Sequence, residues 1–260
     1  MKHTLSLSLS LALSPFAMAS GHGPVFGLAT PTNPKGGWSF DQNFMGRAGA
    51  GSGFMYRPAL GYGITENLKV SVSGPAVFKT EPFAPARVSA FTSMMGDFEG
   101  TAIWRFHRQD TGIGSRVESA LIGGVVAPGP QTTGGVGGLV GAVTGLASRS
   151  HYAWGGATYQ RYTGDRRPDL LFYSLAYAYR PPSWRTDTGW DWRIFGEMTG
   201  ERAGRVSTGG ASHQVFFGPT TLGVFRNYAV SAGMQFPIHR AASNYPRERF
   251  RFALNFAWFF

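Results

Sequence analysis

Large apolar residues occupy every even position at the end of the chain, Phe250, Phe252, Leu254, Phe256, Trp258 and Phe260, with Arg249, Arg251, Ala253 and Asn255 between them. A strand sends successive side chains to opposite faces, whereas a helix would scatter these residues around its circumference. The pattern predicts a strand with one continuously apolar face. The same period recurs in segments of roughly ten residues, and predicts twelve strands, at 38–46, 54–64, 67–77, 97–107, 115–127, 137–148, 151–161, 169–180, 189–199, 213–224, 227–238 and the tail ending at 260.

The segment 189–199 is the sharpest, with Trp190, Trp192, Ile194 and Met198 opposed to Asp191, Arg193 and Glu197. If the apolar face meets lipid, a slip of one residue would expose Arg193 there, at a cost of about 2–4 kcal/mol near the midplane. One register therefore dominates. The Gly-rich stretch 134–150 marks neither face, so its register is weakly specified. Pro58, Pro219 and Pro237 fall inside predicted strands and imply kinks or bulges there.

Connections alternate in length, which is independent of hydrophobicity. Short links join the second and third, sixth and seventh, and tenth and eleventh strands, while 78–96, 128–136, 162–168, 200–212 and 239–248 are longer. The expectation is an all-β fold, a closed antiparallel up-and-down transmembrane β-barrel of about 12 strands, with short periplasmic turns and long outer loops. An even strand count returns both ends to the periplasm. In that frame all seven tryptophans (Trp38, Trp104, Trp154, Trp184, Trp190, Trp192 and Trp258) fall in the periplasmic half, as a girdle at the membrane interface does.

Composition fits this picture. Aromatics reach 15% while the mean hydropathy is only -0.12, because in a barrel each apolar outer residue is diluted by a polar inner one. The first residues, Lys2, an apolar run from Leu5 to Ala17 and Ala17-Met18-Ala19, read as a secretory signal spanning 1–19, leaving 20–260 as a single outer-membrane domain. There is no cysteine, which excludes disulfides and thiolate metal sites. The formal charge of +10 points to anionic lipopolysaccharide or anionic solutes rather than nucleic acid, which an exported chain seldom meets.

Catalytic patterns are absent from the sequence: no G-x-S-x-G elbow, H-E-x-x-H or phosphate loop occurs. His213 follows Ser212 and His239 precedes Ser243-Asn244, neither at the His-to-Ser spacing of outer-membrane phospholipases, and His22, His107 and His151 are scattered. No cofactor is expected. The polar faces nominate lumen residues instead: Asp41, Arg57, Lys69, Glu99, Arg105, Arg116, Glu118, Asp191, Arg193, Glu197 and Arg251. Two readings stay open for them, ion-pair ladders that fill the lumen and a mixed-sign constriction that selects solutes. The loop 79–97 is apolar for an exposed connection, and its Phe83, Phe91, Met94 and Met95 form a candidate gate. The last strand, with Phe256, Trp258 and Phe260, resembles the terminal signal read by the outer-membrane assembly machinery.

The stretches "GHGPVFGLATPTNPKGGWSFDQNFMGR" (21–47) and "GPTTLGVFRNYAVSAGMQFPI" (218–238), with the terminal Phe, resemble the outer-membrane family associated with the meta-pathway of phenol degradation. The resemblance spans nearly the whole mature chain, implies a transporter-like barrel and carries no catalytic residue. The combined expectation is an outer-membrane channel passing a small solute, aromatic or hydrophobic, by diffusion through a narrow polar lumen. Membrane lipids, lipopolysaccharide and the assembly machinery would be its partners. The alternatives are an outer-membrane lipid-modifying enzyme of the acyl-hydrolase kind and a closed structural barrel.

Overall fold

A computed structural model describes residues 23–49, 53–78, 97–129, 135–163, 168–184, 189–204, 211–241 and 248–260. The expected signal at 1–19 and the gate residues Phe83, Phe91, Met94 and Met95 lie outside these residues. Among the described residues, thirteen strand segments form one antiparallel sheet: β1 (Trp38–Gly49), β2 (Gly53–Thr65), β3 (Leu68–Ser73), β4 (Ala76–Phe78), β5 (Phe98–Gly112), β6 (Ser115–Ala127), β7 (Gly137–Ala147), β8 (His151–Tyr162), β9 (Leu170–Tyr179), β10 (Asp191–Ala203), β11 (Ser212–Phe225), β12 (Tyr228–Ala241) and β13 (Glu248–Phe259). β1 pairs with both β2 and β13, which closes the sheet on itself. β3 and β4 both pair with β2 and are two halves of one wall position, so the barrel has twelve wall strands.

Proline explains the interruptions. β2 hands its pairing from β3 (Ala59↔Ser73) to β4 (Tyr56↔Ala76) around Pro58, opposite Gly74 and Pro75. Neither proline has an N–H to give the ladder, so the break falls where two donors are missing. Pro237 sits at the register shift between Val215↔His239 and Phe216↔Pro237, and Pro219 lies where the β11–β12 ladder skips from Phe217↔Phe236 to Thr220↔Gly233. Several strands run past their expected ends. β5 continues to Gly112 and turns tightly into β6, and β10 continues to Ala203, because backbone pairing outlasts the apolar belt that marks a strand in sequence.

The wall is inverted relative to a soluble protein. Val72, Val125, Val140, Leu175 and Ile238 stand exposed on the outside, while Arg47, Arg57, Arg105, Arg251, Glu118, Glu197 and Glu201 are buried inside. Such a continuous apolar exterior needs lipid to cover it. Aromatic rings gather at the short-turn end, where Trp38 meets Tyr62 at 4.7 Å between centroids, Trp258 meets Phe260 at 4.7 Å and Trp190 meets both Trp192 and Phe225.

Trp154 departs from the expected girdle. It has the right height but faces inward, stacked on Tyr152 and Phe195. Its strand partner is Gly145, and a Cβ there would lie 2.4 Å from the indole, so glycine makes the room that an inward indole needs. Outside at that level, His151 and Tyr177 take its place, joined by a 2.7 Å hydrogen bond.

Candidate functional site: a strapped lumen

Residues 23–37, "GPVFGLATPTNPKGG", belong to no strand and run up inside the barrel from its short-turn end. At the base, Gly36 adopts a positive φ of 78° and donates its N–H to Gly63 O at 2.8 Å, while Gly63 N–H donates to Gly37 O at 2.9 Å. A Cβ on Gly63 would sit 2.0 Å from Pro34 O, so this close approach requires glycine. At the same end Thr32 Oγ1 donates to Glu66 O in the β2–β3 turn at 2.8 Å, and further along the strap Thr30 Oγ1 donates to Glu118 Oε2 at 3.2 Å and Leu28 N–H to Ser174 Oγ at 2.9 Å.

The upper contact is the most telling. Val25 and Phe26 donate successive backbone N–H groups to Oε1 and Oε2 of Glu197, each at 2.7 Å. Two adjacent amides turned to one anion make a small concave nest. Glu197 is fully buried, Thr220 Oγ1 also donates to it, and among the described residues no Lys or Arg pairs with it. The Phe26 ring packs with Met55 and Ala253, and Leu28 and Ala29 pack against two further inner clusters. Beyond its backbone bonds to Gly63 at the base, the strap is therefore docked by hydrogen bonds that each involve a side chain and by apolar contacts.

Other interior charges pair within the wall. Toward the long-loop end, Arg251 Nε donates to Glu248 Oε2 at 2.6 Å, Arg251 Nη1 donates to Glu201 Oε1, and Arg47 Nη1 reaches Glu248 Oε1 at 3.2 Å. The Arg251 guanidinium also lies 3.6 Å from the centre of the Phe216 ring. Arg57 pairs with Glu99 at 2.9 Å and donates to Ser73 Oγ at 2.7 Å and Asp97 O at 3.2 Å. Arg105 pairs with Glu118 at 3.0 Å, where Arg116 joins at 3.3 Å. Asp191 binds Arg180 at 2.8 Å and Arg193 at 2.9 Å, and Asp41 lies close enough to Lys69 to interact electrostatically.

The candidates read from the sequence fall into separate groups: Arg57 with Glu99, Arg105 and Arg116 with Glu118, Arg193 with Asp191, Asp41 near Lys69, Arg251 with Glu201 and Glu248, and Glu197 with the strap amides. Sequence reasoning passed over Arg47, Arg180, Glu201 and Glu248. Arg47, Glu201 and Glu248 lie at strand ends just beyond the apolar belt, and Arg180 lies in the link after β9.

At the short-turn end a cavity of about 680 Å³ opens between the strap residues Thr30 and Pro31 and the walls of β5 to β10. It is lined by arginines and by the inward aromatic pair Tyr152 and Trp154.

No protein-family model and no curated protein matches the sequence. Among solved structures, the fold is similar to the COG4313 outer membrane channel from Pseudomonas putida F1, at 12% identity and a TM-score of 0.63, over 92% of this chain and 100% of that one. OccAB4 from Acinetobacter baumannii follows at 10% identity and a TM-score of 0.45, over 84% of this chain and 56% of that one. LpxR from Salmonella typhimurium stands at 8% identity and 0.44, over 85% and 100%. Likeness at this level is a likeness of fold. With its lipid-facing apolar wall and charged interior, the chain is a β-barrel of the outer membrane.

Proposed function

We propose that the protein is an outer-membrane channel for a small solute, with the strap at 23–37 setting the bore. The observation that carries this reading is the strap's attachment. It occupies the lumen, yet above its backbone bonds to Gly63 residues 23–34 are held by hydrogen bonds that each involve a side chain and by three apolar contacts, so that part can leave without opening a single strand pair. A structural barrel has no need of a separable filler, whereas a channel that must exclude some solutes does. The inner rings of Tyr152, Trp154 and Phe195 favour a solute with an aromatic or other apolar part.

Around that core reading the remaining roles follow. Cleavage after Ala19 leaves residues 20–260 as the mature domain, short turns face the periplasm, and Phe83, Phe91, Met94 and Met95 of the loop 79–97 are assigned the role of a gate. The outward rings of Phe256, Trp258 and Phe260 serve as the address for the assembly machinery, and the long loops meet lipopolysaccharide. Diffusion through the lumen passes the paired charges Arg57–Glu99 and Arg193–Asp191, which screen solutes by sign.

Purified mature protein in planar bilayers tests the reading. Discrete step currents whose ion selectivity changes when Arg193 and Glu197 are neutralised are the expected result. Silence, together with hydrolysis of lipid acyl esters, would reassign the barrel to lipid chemistry, and silence alone would leave it structural.

A further inference from the structure

The short-turn cavity carries more positive charge than its acids can match. Arg108, Arg116, Arg149, Arg180 and Arg193 face it, against Asp110 and Glu118. Glu118 is already shared with Arg105 from outside the cavity, and Asp191 divides its two oxygens between Arg180 and Arg193. Excess positive charge in a walled space of this size favours an anionic guest.

Arg193 points to where that guest sits. It is only 6% exposed. Its Nη2 donates to Asp191, whereas Nε and Nη1 are buried with no protein acceptor. A buried charged donor left unmatched is unfavourable, and an incoming carboxylate would satisfy it. The guanidinium lies 4.3 Å from the centre of the Tyr152 ring, which orients it. Tyr152 stacks on Trp154, 5.8 Å apart and 8° from parallel, and both line the same cavity. Charge and apolar surface therefore converge within one space, with Thr30 and Pro31 of the strap closing a side of it.

We infer that this cavity is a binding site for a small organic anion, its carboxylate received by Arg193 and its apolar body resting against Tyr152 and Trp154. The inference deepens the channel reading by naming the class of solute. A neutral solute of the same shape would leave the arginines unmatched, and a bare anion such as acetate would forgo the aromatic contacts.

Titration calorimetry on the folded protein in lipid nanodiscs separates this inference from conduction. With benzoate as the probe, saturable binding is expected, at least tenfold tighter than for benzyl alcohol or acetate. Arg193→Gln should weaken benzoate at least tenfold, while Arg226→Gln, on an exposed turn outside the cavity, should leave it unchanged. Arg116→Gln, at the half-exposed rim, should weaken it about threefold and serves if Arg193→Gln does not fold. Equal binding of benzoate and benzyl alcohol, no saturable benzoate binding, or full affinity in Arg193→Gln or Arg116→Gln would overturn the site. Step currents without benzoate binding would sink the site and spare the channel, and benzoate binding without currents would do the reverse.

Discussion

Glu197 and Glu201 lie four residues apart on β10, share its inner face, and are both almost completely buried. They differ in what neutralises them. Glu201 meets Arg251, anchored in turn by Glu248 and the Phe216 ring, so its partner belongs to the wall. Glu197 meets the amides of Val25 and Phe26, so its partner belongs to the strap, outside the sheet. One carboxylate ties wall strands to one another, and on the proposed reading the other holds a separable part. Departure of the strap would admit water to solvate Glu197, whereas loss of Arg251 would leave Glu201 only its weaker electrostatic interaction with Arg47.

The largest effect should come from breaking the fixed half. Arg251→Ala would strand Glu201 in the interior, leave Glu248 to Arg47 alone, and should lower wall stability by about 3–5 kcal/mol, read from urea unfolding in lipid. A loss below about 1 kcal/mol would mean that the network merely fills space. Glu197→Gln should weaken strap docking by about 1.5–3 kcal/mol, the scale of hydrogen bonds to a charged group, with wall stability unchanged. Faster hydrogen exchange at the Val25 and Phe26 amides and a higher open probability would register it. An equal fall in the urea midpoint would erase the distinction between the two halves. Thr30→Val removes one hydrogen bond to Glu118, which Arg105 and Arg116 already neutralise, and should loosen the strap by about 0.5–1.5 kcal/mol. Exchange at the Leu28 amide would report it.

Alternation made the wall legible because each wall strand must offer lipid one face and the lumen the other. Arg193 and Glu197 alternate with Trp192 and Ile194, and the structure places them inward. The same signal fades past the membrane, which is why Arg47, Glu201 and Glu248 read as loop residues. Trp154 shows a different limit. Its inward turn depends on Gly145 across the ladder, and strand pairing is invisible to a pattern read along one strand. The strap was the least legible part, since its Gly, Pro and Thr carry no period. Val25, Phe26 and Leu28 were the available signal, apolar residues in an aperiodic segment just before a closed barrel.

The separability of the strap can be tested directly because the chain has no cysteine of its own. An ideal Cβ at Gly27 would lie 3.2 Å from Ser174 Cβ, close to the roughly 3.5–4.5 Å spacing of a disulfide. In single-channel recordings of Gly27→Cys/Ser174→Cys, oxidation should hold the channel in its low-conductance state, and reduction should restore transitions to a larger one. Identical conductance in both redox states, matched by a variant lacking residues 23–34, would contradict the account.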